Sequence, residues 1–392
     1  MSQITLQSST YAGYFDNEII AASVLEARSI KNGYVTLHTN VDDKYTAIFV
    51  DSDVHVQDGA AAFSAAGSET LSEIKFTLGK FMINREIDYS NLDNFWLAAQ
   101  QPRGRAGDFA PPATLEDALN AHFAAKASLM VGASIWKGSD LALAELSGIT
   151  ADSGLSQSVT GLIDTMLADA GVIDIAVGGT YKQTASDISV ASNAVITVAD
   201  TSDYAVGDRV TLRGMSDSEN TGDNGKTFTI DSIPSGTTFT CGFDTSAAGG
   251  VDTGTVTCIN KNNVVRALEE AYSNMSDNIR LQPDTAFFVP SRVASAYRIA
   301  QAEAAYSPNV YSEDYTLAYL GYPVHEIPEC NDNVIVTCRV SNLHFATPLA
   351  SDFNSVMIVD QSETTASRSI RYRLDYAFDV AISGSSDICL LA

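Results

Sequence analysis

The sequence predicts an α+β chain interrupted by a small all-β module, on three observations. Amphipathic helical patterns flank the middle of the chain, in "TLEDALNAHFAAKASLMVGASIW" (114–136) and "NNVVRALEEAYSNM" (262–275). Between them, residues 178–261 are dominated by Thr, Ser, Asp and Gly, with short strand-like pieces between turn signals. Near the C-terminus, "IRYRLDYAFDVAI" (370–382) alternates apolar and polar residues, as a strand with one buried and one wet face does.

Taken in order, residues 1–33 read as an arm with a short helical pattern, "NEIIAASVLEARSIKNG". Residues 34–88 alternate like strands in "YVTLHT", "KYTAIFV", "EIKFTL" and "FMINREI". The intervening "DSDVHVQDGAAAFSAAGSET" offers too little apolar area to offset chain entropy. A long two-stranded ribbon is marginal alone, so these strands are expected to lean on a neighbouring subunit. Pro111-Pro112 break the chain, and Thr114 with Asp117 three residues on make a capping-box start for a long helix. Leu115, Leu119, Phe123, Leu129 and Met130 lie roughly on one face of it. "LSQSVTGLIDTMLADAG" predicts a second helix stopped at Gly171, and "VIDIAV" a strand.

In the 178–261 module, Val210 and Leu212, Phe228 and Ile230, Phe239 and Cys241, and Val256 and Cys258 share the inward side of their strands. A sandwich or partly open barrel follows, and insertion is its simplest origin. Beyond it, Asn263 is placed to cap a helix over 264–275. "DTAFFVP" reads as a buried strand, and Pro290-Ser291 open another helix. "GYPVHEIP", "NVIVTCRV" and "SVMIVD" are further strands.

No motif carries catalysis, a cofactor or a metal. Gly225-Lys226-Thr227 has the tail of a phosphate loop, but Asn220 stands where the leading Gly belongs. "KTFTID" then continues as a strand, so "TGDNG" reads as a hairpin turn and Lys226 as a solvated strand-edge residue. His325, Cys330, Cys338 and His344 lack the short Cys-x-x-Cys spacing of a zinc grip, and Cys338 falls on the apolar side of its strand. "DSDVHVQDG" matches a calcium loop for three residues only. Asp108, Glu116 and Asp117 complement a helix start. Arg103 and Arg105 form a basic island that either makes an intersubunit ion pair or is a solvated turn.

The 392 residues suffice for two or three cores, and 45% hydrophobic with 18% charged residues is a globular mixture. A net charge of -25 argues against nucleic-acid recognition and against docking on anionic lipid. No apolar stretch of membrane-spanning length and no Sec signal is visible, which implies cytoplasmic synthesis. Five widely spread cysteines read as reduced, buried thiols.

The order of elements resembles the tailed-bacteriophage major capsid proteins of the Hong Kong 97-type fold: a strand ribbon, the helix opened by "PPATLEDALNAHFAAKA", then "GLIDTMLADAGVIDIAV", "NVVRALEEAY" and "TAFFVPSRVASAYRIAQAEA". "YLGYPVHEIPECNDNVIVTCRVSNLHFAT" and the terminal alternating strand complete it. The resemblance covers about 1–177 and 262–392. It implies an N-terminal arm (1–33), an extended β loop (34–88), and a peripheral domain with spine helix and the start of an axial domain (89–177). It further implies an inserted all-β domain (178–261), an axial domain (262–360) and a return strand (361–392). No long helical scaffolding segment precedes the arm, and propeptide cleavage is not indicated. The implied function is structural: hexamers and pentamers closing an icosahedral shell around double-stranded DNA, without sequence-specific contacts, in a virion assembled in the bacterial cytoplasm. Portal, scaffold or decoration proteins are the implied partners. Lys75 and Lys80 in the loop join Arg103 and Arg105 as candidate intersubunit contacts. An encapsulin-type compartment and a carbohydrate-binding or adhesive protein built on the β module are the alternatives.

Overall fold

A computed structural model of the protein describes residues 28–39, 41, 44–53, 55–56, 67–88, 127–146, 158–217, 220–248, 252–304, 316–330, 332–348, 356–360 and 369–392. Most of the arm and the start of the long helix, with Arg103, Arg105, Asp108, Thr114, Glu116 and Asp117, lie outside the described residues.

A short helix, Arg28–Lys31, leads into β1 (Thr36–His38). β2 (Lys44–Asp53) and β3 (Ser68–Thr77) follow, then β4 (Gly79–Asp88). Residues 127–137 are helical. Helices Ser139–Glu145 and Leu162–Ala168 and β5 (Ile173–Asp174) complete the first part. Next come β6 (Lys182–Ile188), β7 (Val195–Thr197), β8 (Arg209–Arg213), β9 (Thr227–Ser235), β10 (Thr238–Cys241) and β11 (Asp252–Thr257). Helices Val264–Ser273 and Asp277–Arg280 precede β12 (Thr285–Pro290) and helix Ser291–Glu303. The chain ends through β13 (Ala318–Tyr319), β14 (Tyr322–Ile327), β15 (Ile335–Arg339), β16 (Leu343–Ala346), β17 (Val356–Asp360), β18 (Ser369–Ile382) and β19 (Cys389–Leu391).

These strands form two sheets, a barrel and a ribbon. One sheet runs β1-β16-β18-β17, with β4 also on β18; the second runs β13-β14-β12-β15-β19-β5. β12 shows why the two cores meet there. All six of its residues are buried, so it is apolar on both faces. Phe288 points into one core with helix 127–137, Phe345 and Phe378. Phe287 and Val289 point into the other, beneath helices Val264–Ser273 and Ser291–Glu303. In the last turn of helix 127–137, Trp136 is fully buried and its indole N–H donates to Ser29 Oγ at 2.9 Å, which ties the segment 28–31 to the core.

β6 to β11 close into a barrel in the order β10-β7-β6-β11-β8-β9. Its core holds Val210, Leu212, Ile230, Phe239, Cys241, Val256 and Cys258, the alternating apolar positions, with Phe228 partly buried beside them. The barrel's entry and exit lie side by side, Lys182 opposite Thr257. All five cysteines are free and buried; Cys330 and Cys338 sit in the first core.

Several elements depart from expectation. Within the extended loop placed at 34–88, only β2 and β3 pair solely with each other among the described residues, and β1 and β4 join the first sheet. β1 pairs with β16 in parallel, and β4 pairs with β18 from Ser369↔Asp88 to Phe378↔Gly79. Phe81 explains the second pairing: it stacks on Tyr376 and Phe378, too much ring area to leave in water. The second helix begins only after Gly161, because the chain there crosses another backbone. Asn263 does not cap its helix; its side chain turns back, accepting from Asn260 N and donating to Cys258 O at the barrel exit. The final strand region divides: β18 serves the first sheet and β19 joins the second, beside β15 and β5.

Candidate subunit-contact surfaces

β2 and β3 form the ribbon. They pair with each other from Lys44↔Thr77 to Asp53↔Ser68 and with no further strand among the described residues. Alternation puts Ile48, Leu71, Glu73 and Lys75 on one face, because Ile48 pairs with Glu73 and side chains two apart share a side. The described side chains of that face are in water. Ile48 is 68% and Leu71 67% exposed, with Thr46, Glu69 and Thr77 exposed around them. Fully burying two such side chains is worth about 1.5–3 kcal/mol each. Lys75 pairs with Glu73 at 3.2 Å on this open face, so its charge is already met locally. Lys80 is exposed on β4, opposite Ala377 of β18 rather than on the ribbon.

The opposite face is anchored at the root. Phe76 is 1% exposed and packs with Val41 and Leu78 over Ala346, Ala377 and Ala381, three small side chains that make room for its ring. Thr77 N donates to Asp379 Oδ2 at 2.6 Å where β3 leaves the sheet. Burial pushes the Asp379 carboxyl up, against the N–H donors of Thr77 and Val380. The ribbon is therefore fixed at its root, while Ile48, Leu71, Glu73 and Lys75 lie exposed farther along.

The barrel is held to the body by a buried polar clamp. Lys137, at the end of the core helix, is ion-paired with Glu145 and lies 2.6 Å from Asp332 Oδ1. Arg213 of β8 reaches Asp332 Oδ2 at 3.0 Å and Asp164 at 3.1 Å. Lys137 and Asp332 are nearly inaccessible, and burial alone would push the Lys137 ammonium down. Asp332, Cys330 and Glu145 outweigh that and hold it above the ordinary lysine range. Thr227 donates its N–H to Glu145 and its hydroxyl to Asp332. Asn333 Nδ2 donates to the carbonyls of Arg209 and Thr257, and its own N–H goes to Thr211 Oγ1.

Lys226 is thus not a solvated edge residue. It is half-buried and ion-paired with Asp223, because Thr227 beside it is drawn into the clamp. Gly225, at φ +83°, turns the chain, and β9 begins at Thr227. His325 stacks on Tyr34 and His344 bonds His38, which takes both away from Cys330 and Cys338. Sequence reasoning missed the clamp; its signals are a lysine directly after a buried Trp, in "SIWKG", and the polar knot "CNDNV" between two strands.

With this geometry established, comparison with known proteins gives one kind of result. No family model and no curated protein matches the sequence. Solved structures show similarity below a TM-score of 0.5, among them phage and phage-like capsids and a virus-like particle. The chain is similar to one in the satellite phage P4 procapsid that includes the size determination (Sid) protein, at 11% identity and TM-score 0.49, covering 96% of this chain and 98% of that one. It is similar to the capsid chain of a native GTA particle at 14% identity and TM-score 0.48, covering 99% and 94%. A virus-like particle from Pyrococcus furiosus is similar at 8% identity and TM-score 0.39, covering 96% of each. Among the described residues no helix is long and apolar enough to cross a membrane.

Proposed function

We propose that the protein is a self-assembling shell subunit, the major capsid protein of a tailed bacteriophage. Its copies associate as hexamers and pentamers into an icosahedral wall around double-stranded DNA. The ribbon is the observation that carries this reading. A two-stranded hairpin is marginal in water, and this one leaves Ile48 and Leu71 exposed on a face that no described residue of the chain covers. A second subunit is the natural cover, since identical copies present the same surface at matching concentration. On this reading residues 44–77 are the extended loop and the β4–β18 sheet with helix 127–137 the peripheral domain. The second sheet with its helices is the axial domain, and the barrel the insertion. The net charge of -25 suits a wall that must enclose a polyanion without adhering to it. Arg103, Arg105, Lys75 and Lys80 remain candidate contacts, portal and scaffold or decoration proteins candidate partners, and the virion its place.

Electron microscopy of the purified protein, alone and with a scaffold, tests the proposal together with the variant Ile48→Asp/Leu71→Asp. Closed shells or rings are expected from the wild type. The variant keeps its circular dichroism and melting temperature but yields only dispersed subunits. A wild type that stays monomeric across a wide concentration range overturns the reading, as does a variant that assembles equally well.

A further inference from the structure

The ribbon's root rests beside a pair of histidines, one on β1 and one on β16. His38 ends β1 and His344 begins the useful part of β16. The parallel register Thr36↔His344 and His38↔Ala346 puts the two histidines on one face. His38 Nε2 lies 3.0 Å from His344 Nδ1, and His344 Nε2 lies 2.9 Å from Ser383 Oγ. The rings sit 5.1 Å apart, and the His38 ring meets the Phe76 ring at 5.5 Å. Phe76 is the side chain that roots the ribbon, so the relay Ser383–His344–His38 supports β1 and β3 together.

We propose that His38 and His344 form a proton-operated latch: neutral, they share one proton and hold β1 and the ribbon root to the sheet, and doubly protonated they release both. The step is pure proton transfer. In the neutral pair one ring nitrogen donates and the other accepts across the 3.0 Å contact, with Ser383 accommodating either tautomer. A first added proton leaves one acceptor in that contact. A second leaves two N–H groups facing each other, with two like charges in a largely buried site. Burial pushes both imidazoles down, and the charge of His38 adds to this at His344, which is lowered to about 4. Among the described residues, the other ionisable groups on this face of the sheet are Asp379, which shares Ala346's register with His38, Lys80, opposite Ala377, and, farther along β18, Asp375, Arg373 and Arg371, the last paired with Glu86 of β4. Asp379 is occupied by Thr77 N and Val380 N, and Lys75 of β3 lies on the ribbon's other face with Glu73. Asn342 and Ser383 are the polar neighbours where β16 begins. The histidines' folded values lie below their free value of about 6.5, so the folded root binds fewer protons than the opened one. Its stability is full above about pH 6.5 and falls as the pH drops toward the folded value.

This inference concerns the root alone and holds whatever the ribbon meets in an assembly. Hydrogen exchange on dispersed full-length subunits, read at residues 36–38 and 74–78 from pH 7.5 to 4.5 and corrected for intrinsic rates, tests it. The opening constant of the wild type should rise about tenfold per pH unit for each proton taken up. The His38→Asn/His344→Gln variant, which cannot charge, should show no such rise. An unchanged wild-type opening constant, or the same rise in the variant, overturns the latch. Should the variant not fold, the imidazole proton resonances of the wild type decide: two interacting titrations below the free histidine value support it, and two independent ones at that value refute it.

Discussion

At the scale of single residues, the structure concentrates its demands where backbones and charges are buried without slack. Gly161 is one such point: a Cβ there would stand 2.1 Å from Gly138 N and 2.4 Å from Lys137 C, both backbone atoms that cannot step aside. Gly161→Ala should therefore cost about 3 kcal/mol or more, the upper range for overpacking, while Gly236→Ala, with open space around its Cβ, should stay within about 1 kcal/mol. Urea unfolding of both variants checks this. Asp332 is the second point. It accepts from Thr227 and pairs with Lys137 and Arg213, so Asp332→Ala leaves buried cations short of their counter-charge. A loss of about 3–5 kcal/mol is expected, with an earlier denaturant midpoint as the readout. Neither residue stands out in the sequence. "SVTGLID" looks like helix interior, and an Asp in a polar knot looks solvated, because both constraints come from segments far away along the chain. Inward-facing Val210, Leu212, Phe239 and Val256 were legible, because alternation is a local property that the barrel then uses.

At the scale of elements, the strands of the ribbon and the long β18 were readable from alternation, and their partners were not. Phe81 and Tyr376 look like ordinary strand residues until the sheet brings their rings to 5.5 Å, which is why β4 leaves the loop expected at 34–88. The helix over 264–273 was visible from Val264, Leu268, Tyr272 and Met275 at helical spacing. It starts where it was placed, directly after Asn263, but that side chain serves the barrel exit instead of capping. The ribbon itself yields an element-scale prediction. Joining Thr46 to Lys75, which are paired, through an Asn-Gly turn removes residues 47–74 and keeps Phe76 at the root. The shortened subunit should melt within about 2–4 °C of the wild type, because Ile48 and Leu71 are exposed and Ile74 is only partly buried. It should also fail to assemble, as sedimentation velocity would show. A large drop in melting temperature would mean that the ribbon belongs to the subunit's own core.

At the scale of the whole molecule, two sheets share one core, a closed barrel is clamped to them through Lys137, Asp332 and Asn333, and one ribbon projects. The clamp makes the barrel a fixed part of the body, so whatever the body builds carries the barrel in one orientation. Composition anticipated the change of character between 178 and 261, because a Thr- and Gly-rich strand pattern differs from the amphipathic helices beside it. The clamp stayed hidden, since it joins residues more than 100 positions apart. The central claim is that residues 44–74 lack sufficient support from their own chain and gain it from a neighbour. Hydrogen exchange of that segment, compared between dispersed subunits and purified assemblies, tests it most directly. Fast exchange when dispersed and strong protection when assembled is the predicted outcome; equal protection in both states would contradict it.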